Sequence, residues 1–241
     1  MTFWETAFTP QLANVLDYFI SSNFAGQLIV VVLLICSLYA WQLMVGKSMD
    51  LKRMKRANRA FVKRLEQSRT LLRIDPNLDG ARGPYAEVTR AGLQAFHRAP
   101  NERHAIEHME NALTREVSRG ASRYEEKMVM LSTVVSGAPF LGLLGTVWGV
   151  MDAFGSISGD SAASIASLAP GVSGALLTTV AGLLVAIPAV FGYNYLLMQV
   201  KQAILDLETY ASNLADRIEL EAADLSDSGE ERVPVQRVSN D

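Results

Sequence analysis

The sequence predicts an all-α integral membrane protein, with three transmembrane helices and long cytoplasmic helical extensions. The first observation behind this is a set of three stretches without Asp, Glu, Lys or Arg: Phe24 to Val45, Met128 to Met151 and Ser161 to Val200. A bilayer span needs about 20 apolar residues, a length that soluble core helices rarely reach without a charge. The second is the uneven distribution of basic residues around the first stretch, which fixes an orientation. The third is the lack of period-two alternation, so β structure finds no support. The single cysteine, Cys36, lies inside the first stretch. That excludes an intrachain disulfide and any CxxC metal or redox site. A net charge of −3 argues against nucleic acid as a main partner.

Residues 1–23 form the first element. Trp4, Phe8, Leu12, Leu16 and Ile20 stand four apart, with Val15 and Phe19 beside them. This spacing predicts an amphipathic interfacial helix on the outer surface of the membrane, bounded or kinked at Pro10. The Met1–Glu5 start has no basic residue and the run that follows is too long for a signal peptide core, so 24–45 reads as an uncleaved first span. Lys47, Lys52, Arg53, Lys55, Arg56, Arg59, Lys63, Arg64 and Arg69 follow it, whereas no Lys or Arg precedes it. Basic residues stay in the cytoplasm, which puts the N-terminus outside and 46–127 inside as a helical domain. The same cluster suits contact with anionic membrane lipids.

Within 46–127 a basic helix continues from the span. Turn formers between Asp75 and Pro84 end it, and Pro100 separates helices over 85–98 and 101–127. No breaker stands between 101–127 and Met128, so that helix is expected to run straight into the second span, 128–153. A short loop, 154–166, carries no basic residue, which suits the outer side. The third span occupies 167–200, with Pro170 and Gly171 resembling a helix start. From Pro170 to Val200 a helix is roughly 45 Å long, so it crosses the hydrocarbon and projects into the cytoplasm. Ile204, Leu207, Ala211, Leu214 and Ile218 keep a three-four spacing, predicting a C-terminal helix over 201–224 that packs on copies of itself or on the loop helices. The tail, 225–241, has a disordered composition, and the C-terminus is cytoplasmic.

The second span places Gly142, Gly145, Gly149 and Ala153 on one stripe, and the third places Gly171, Ala175, Gly182 and Ala186 on another. Small residues let helix backbones approach closely, the usual means of association in lipid. Thr146 and Thr179 fall on these stripes. A membrane threonine commonly bonds back to its own helix, but on stripes shaped for close approach the two hydroxyls point to a shared polar interface. No span has a carboxylate, lysine or histidine in its centre, and intramembrane ionisable groups are what mark proton relays. If the chain conducts, the titrating group belongs to another chain.

Leu131 to Phe154, reading LSTVVSGAPFLGLLGTVWGVMDAF, resembles the second-span signature of the MotA/TolQ/ExbB proton-channel family. Leu168 to Asn194, reading LAPGVSGALLTTVAGLLVAIPAVFGYN, is similar to its third-span signature. The three-span plan is that of TolQ and ExbB. The resemblance implies a homopentamer in the bacterial inner membrane around two copies of a single-span ExbD-like or TolR-like partner. The partner's membrane Asp takes up and releases the ion, and ion flow drives work on a periplasmic TonB-like or TolA-like transducer. It further implies that Thr146 and Thr179 are pore threonines facing that Asp, and that Pro139 and Pro188 are the family's helix-shaping prolines, alongside Pro170. No cofactor is implied; the transported ion is H⁺ or Na⁺.

The chain departs from the pattern at one position. Where TolQ and ExbB usually carry Glu, in Ala-Pro-Gly-x-x-Glu-Ala, this sequence has Gly174, so a relay through this chain's own glutamate is in doubt. Gly174 joins the small residues available for packing. The adjacent Thr178 and Thr179 resemble the pair of sodium-driven flagellar stators, which keeps Na⁺ open. A non-conducting scaffold of the same fold and a small independent transporter, with a broken helix at Pro139 or Pro188, are the other readings. His104 and His108 stand four apart with Glu107 between, but this is not H-E-x-x-H, and a solvated helix face explains them. No Ser-His-Asp or Cys-His spacing points to an enzyme.

Overall fold

The computed structural model describes residues 19–20, 22–68, 70–72, 74, 76, 78, 80–100, 102–155 and 165–227. Five helices follow in order: α1 (Phe24–Glu66), α2 (Pro84–Arg98), α3 (Glu102–Glu125), α4 (Met128–Gly155) and α5 (Ile165–Asp227). No strand occurs among the described residues. Three of these helical stretches are long and apolar enough to cross a membrane, and the chain is an all-α membrane protein. Most of the expected N-terminal interfacial helix, the loop centre at 156–164 and the tail from 228 lie outside the described residues.

The chain divides into two compact units, Met1–Lys47 with Lys127–Leu196 and Ser48–Glu126 with Leu197–Asp241. In the first, Asn23 caps α1, its Oδ1 accepting the Gly26 amide at 2.8 Å. The Asn23 amide also donates to Asp152 Oδ2 at 3.2 Å, tying the start of α1 to the end of α4. Ile29 and Leu33 of α1 pack on Ala138 of α4 and on Val185 and Ala186 of α5, flanked by Val134, Leu141 and Ala181. Further along, a side chain at Gly192 would collide with Met44. The outward faces are apolar too, with Leu34, Leu38, Phe140, Val147, Leu184 and Phe191 exposed. This pattern suits helices surrounded by lipid or by other helices rather than by water.

In the second unit α2 and α3 form a hairpin against the later part of α1 and of α5. Leu93, Met109, Leu207, Leu214 and Ile218 are fully or almost fully buried there. Asn58 holds both hairpin helices: its Oδ1 accepts the Tyr85 amide at 3.3 Å and its Nδ2 donates to the Tyr124 hydroxyl at 3.3 Å. Tyr85 and Tyr210 stack with centroids 4.1 Å apart, and the Tyr210 hydroxyl meets Thr89 Oγ1 at 2.6 Å. Arg123 pairs with Glu87. Glu221 accepts the amides of Leu71 and Leu72 at 2.6 and 3.3 Å. Arg217 donates to Glu221 and to the Ser68 carbonyl, both at 3.1 Å. His97 lies between the carbonyls of Leu93 and Leu72, at 2.7 and 3.2 Å.

Three expectations are corrected. The helix over 101–127 does not run straight into the second span: Glu126 and Lys127 form a turn, and Lys127 has φ 70. The break sacrifices little hydrogen bonding, because Glu126 still donates to Ser122 at 3.0 Å and Leu131 to Lys127 at 3.3 Å. The left-handed conformation of a non-glycine residue at Lys127 costs roughly 1–2 kcal/mol. The third helix begins at Ile165 rather than near Pro170, so Pro170 is its sixth residue and the helix forgoes one amide hydrogen bond there. The helix also continues unbroken to Asp227, into the segment expected to be tail.

Candidate functional site

The two small-residue stripes meet in an antiparallel contact between α4 and α5. A Cβ added at Gly142 would lie 2.8 Å from the Thr178 carbonyl oxygen and 3.0 Å from Thr179 Cα. One at Gly182 would lie 2.7 Å from the Ala138 carbonyl oxygen. At Gly145 it would meet the Thr178 side chain, with Cβ at 2.6 Å, at Gly149 the Ala175 Cβ at 2.6 Å, and at Gly171 the Ala153 Cβ at 3.1 Å. Backbone thus lies directly on backbone at the centre, an approach that only glycine permits on either side. Gly174 is buried on α5. Pro139 lies inside α4, and Pro170 and Pro188 inside α5. Each removes an amide that would otherwise close a helical hydrogen bond.

Three threonine hydroxyls converge at this contact, and each has one proton. Thr146 Oγ1 donates to the Leu143 carbonyl at 2.7 Å. Thr179 Oγ1 donates to the Gly142 carbonyl at 3.1 Å. Thr178 Oγ1 shares its proton between Gly142 O at 2.9 Å and Ala175 O at 2.7 Å. The hydroxyl oxygens of Thr146 and Thr179 are 3.3 Å apart. At that distance either hydroxyl can donate to the other instead of to its backbone carbonyl, and whichever oxygen accepts keeps a lone pair for a further donor. Such a pair accepts a proton donor or a cation, and one rotation of either hydroxyl reconnects the two by a hydrogen bond.

Burial divides the cluster. Thr178 is fully buried, its oxygen enclosed between α4 and α5, whereas Thr146 and Thr179 are half-buried and reach the edge of the contact. Thr178 and Thr179 therefore share the Gly142 carbonyl from different surroundings, since successive residues on a helix point about 100° apart. The sequence reading missed the Gly142 carbonyl, which accepts from two threonines across the contact. Nothing in a side-chain pattern marks a backbone acceptor, although two threonines opposite a glycine stripe were an available signal. It also missed Asn23 and Asp152, polar groups at the ends of α1 and α4 joined across 129 positions of sequence.

Residues 81–209 match the family described as the MotA/TolQ/ExbB proton channel family. The Tol-Pal system protein TolQ of Haemophilus influenzae is 33% identical over 196 residues, which cover 78% of this chain and 86% of that protein. TolQ of Pseudomonas aeruginosa is 30% identical over 183 residues, 72% of this chain and 79% of that protein. The biopolymer transport protein ExbB of Neisseria meningitidis is 29% identical over 196 residues, 78% of this chain and 89% of that protein. The family match takes in both small-residue stripes and all three threonines, and the relatives align along most of their own lengths. On these grounds the chain belongs to the MotA/TolQ/ExbB proton channel family.

Proposed function

We propose that this chain is the multi-span subunit of an inner-membrane ion-driven motor of the TolQ and ExbB kind. It assembles as a homopentamer around a single-span ExbD-like or TolR-like partner, converting the proton motive force into work on a periplasmic TonB-like or TolA-like transducer. The observation that carries the reading is the Thr146–Thr179 hydroxyl pair, 3.3 Å apart, in spans without a central ionisable residue. The pair accepts but does not titrate, so it complements a partner carboxyl that does. A protonated Asp donates to one of the two oxygens; once ionised, it accepts from the same hydroxyl after rotation. The position of Thr178 favours H⁺ over Na⁺, because a sodium site needs several oxygens at one point and Thr178 directs its own into the helix contact. The chain is not an enzyme on this reading; it has no bound cofactor, its N-terminus is periplasmic and its C-terminus cytoplasmic.

Gly174 supports a second reading, a non-conducting scaffold that keeps the fold without a glutamate in the third span. Co-expression with the single-span, Asp-bearing protein, followed by native mass determination and ion flux in vesicles, separates the two. Five copies plus two with flux lost in Thr146→Val and Thr179→Val supports the motor. Flux absent from the wild-type assembly, or unchanged in both variants, overturns it.

A further inference from the structure

The two helical extensions of the second unit carry opposite charge. From Ser48 to Glu66, α1 holds seven bases and two acids, a net charge of +5; from Leu197 to Asp227, α5 holds two bases and seven acids, a net charge of −5. Their buried sides, with Phe61 and Leu65 on α1 and Leu207, Leu214 and Ile218 on α5, serve the unit's own core. The excess charge is on the outward sides. Lys52, Arg56, Arg59 and Lys63 are exposed at four-three-four spacing, one stripe of α1. Glu208, Asp216 and Glu219 are exposed at eight-three spacing, one stripe of α5.

The two stripes lie at the same height. Tyr85 touches α1 through its amide on Asn58 and α5 through its hydroxyl on the Asp206 carbonyl, at 3.3 and 3.1 Å. Ser68, just beyond α1, accepts from Arg217 of α5. Both crossings give one register: ten residues separate Asn58 from Ser68 and eleven separate Asp206 from Arg217, so α1 and α5 run parallel and level here. Arg59 is then level with Glu208, and Lys63 lies within a side-chain length of Asp216. A rotation axis along these helices preserves height. In a cyclic assembly the α1 stripe of one copy is therefore at the height of the α5 stripe of the next, as a head-to-tail contact between two different faces requires.

We infer that the basic stripe Arg56–Arg59–Lys63 of one copy docks on the acidic stripe Glu208–Asp216–Glu219 of a second copy of this chain. This contact fixes the order and spacing of the assembly outside the membrane, and it rests on the homo-oligomeric reading above. A lipid surface satisfies the basic stripe alone and leaves the acidic one without a counterpart, whereas a neighbouring copy satisfies both. Exposed pairs contribute little individually, but like charges brought together at several points in an interface cost several kcal/mol.

The test uses the full chain in membranes. Chains with Arg59→Cys and with Glu208→Cys, both in a Cys36→Ala background, are co-expressed and oxidised. A cross-linked dimer that requires both cysteines is expected, and its absence from an intact oligomer overturns the inference. Reversal of one stripe, by Glu208→Arg with Asp216→Arg, is expected to lower the oligomer fraction about tenfold. Adding Arg59→Glu and Lys63→Glu to the same chain is expected to restore it, while circular dichroism verifies the fold of each variant. Loss of anionic-vesicle binding on reversal of the basic stripe, with the oligomer unchanged by reversal of the acidic one, assigns the α1 stripe to lipid and overturns the inference. A wild-type chain that is monomeric in native mass overturns the homo-oligomeric reading instead, so the two failures are distinct.

Discussion

Thr178 Oγ1 stands 2.9 Å from the Gly142 carbonyl oxygen across the α4–α5 contact, with no solvent exposure. Its neighbour Thr179 donates to the same carbonyl at 3.1 Å from the half-buried edge, where its oxygen also meets Thr146. Two adjacent hydroxyls thus share one acceptor while facing different surroundings. The inner one joins two helices; the outer one has a lone pair to offer beyond them.

Valine substitution separates the roles, since it preserves shape and removes only the hydroxyl. Thr178→Val is expected to lower stability by about 1 kcal/mol, the net worth of one hydrogen bond, and to leave ion flux close to normal. Thr146→Val and Thr179→Val are expected to leave the assembly intact and abolish flux. Thermal scans of the purified complex and flux assays in vesicles read the two effects independently. Loss of flux in Thr178→Val with Thr146→Val active would reverse the assignment.

The glycine stripe gives a graded prediction. Gly142→Ala pushes a methyl group against the Thr178 carbonyl, and is expected to cost about 1–3 kcal/mol. Gly149→Leu, aimed at Ala175, is expected to prevent assembly. Gly137→Ala meets nothing within 4 Å and is expected to be neutral, or stabilising by up to about 1 kcal/mol through helix propensity. Expression level and melting temperature of the three variants suffice, and equal effects at Gly137 and Gly142 would contradict the packing described.

Glu221 secures the segment after α1 through the amides of Leu71 and Leu72. Glu221→Ala leaves those amides and Arg217 Nε without this acceptor, at about 1–3 kcal/mol. Faster proteolytic cleavage between Ser68 and Ile74, with α5 otherwise intact, is the expected result. Glu221→Gln retains an acceptor oxygen and is expected to fall between the alanine variant and the wild type.

Burial raises the phenol pKa of both stacked tyrosines: Tyr210, despite its bond with Thr89, and Tyr85, further raised by Asp206, are each pushed up to about 12. The unfolded value is near 10, so between about pH 10 and 12 the unfolded chain has lost protons that the folded chain retains. Stability is therefore intact below pH 10 and falls as the pH rises through 12. Denaturant titrations on the wild type and on Tyr85→Phe with Tyr210→Phe are expected to show a shallower alkaline loss in the double variant.

The sequence made the spans legible because lipid removes the ambiguity of ordinary helices: an uncharged run such as Phe24–Val45 has few alternatives. The stripes of α4 and α5 were legible for a related reason, since glycine at helical spacing is costly unless something lies close. The break at Lys127 was not legible, because no Gly, Pro or Asn marks it and it is made by one lysine in a left-handed conformation. The role of Asn58 was equally hidden. It reads as one polar residue in a basic run, and only the return of Tyr85 and Tyr124 from distant sequence gives it partners. The separation of Thr178 from Thr179 follows from helical geometry alone, yet which hydroxyl faced inward depended on where α4 lay.

Between Gly142 and Gly182 no side chain stands between α4 and α5, and the two backbones touch. Helices separated by leucines can slide by repacking rotamers, but backbones in direct contact have no such lubricant. Movement of α4 along α5 by one residue would drive Ala153, Ala175 or Thr178 into main chain. Sliding between the two helices is therefore resisted by main chain rather than by side chains that can change rotamer.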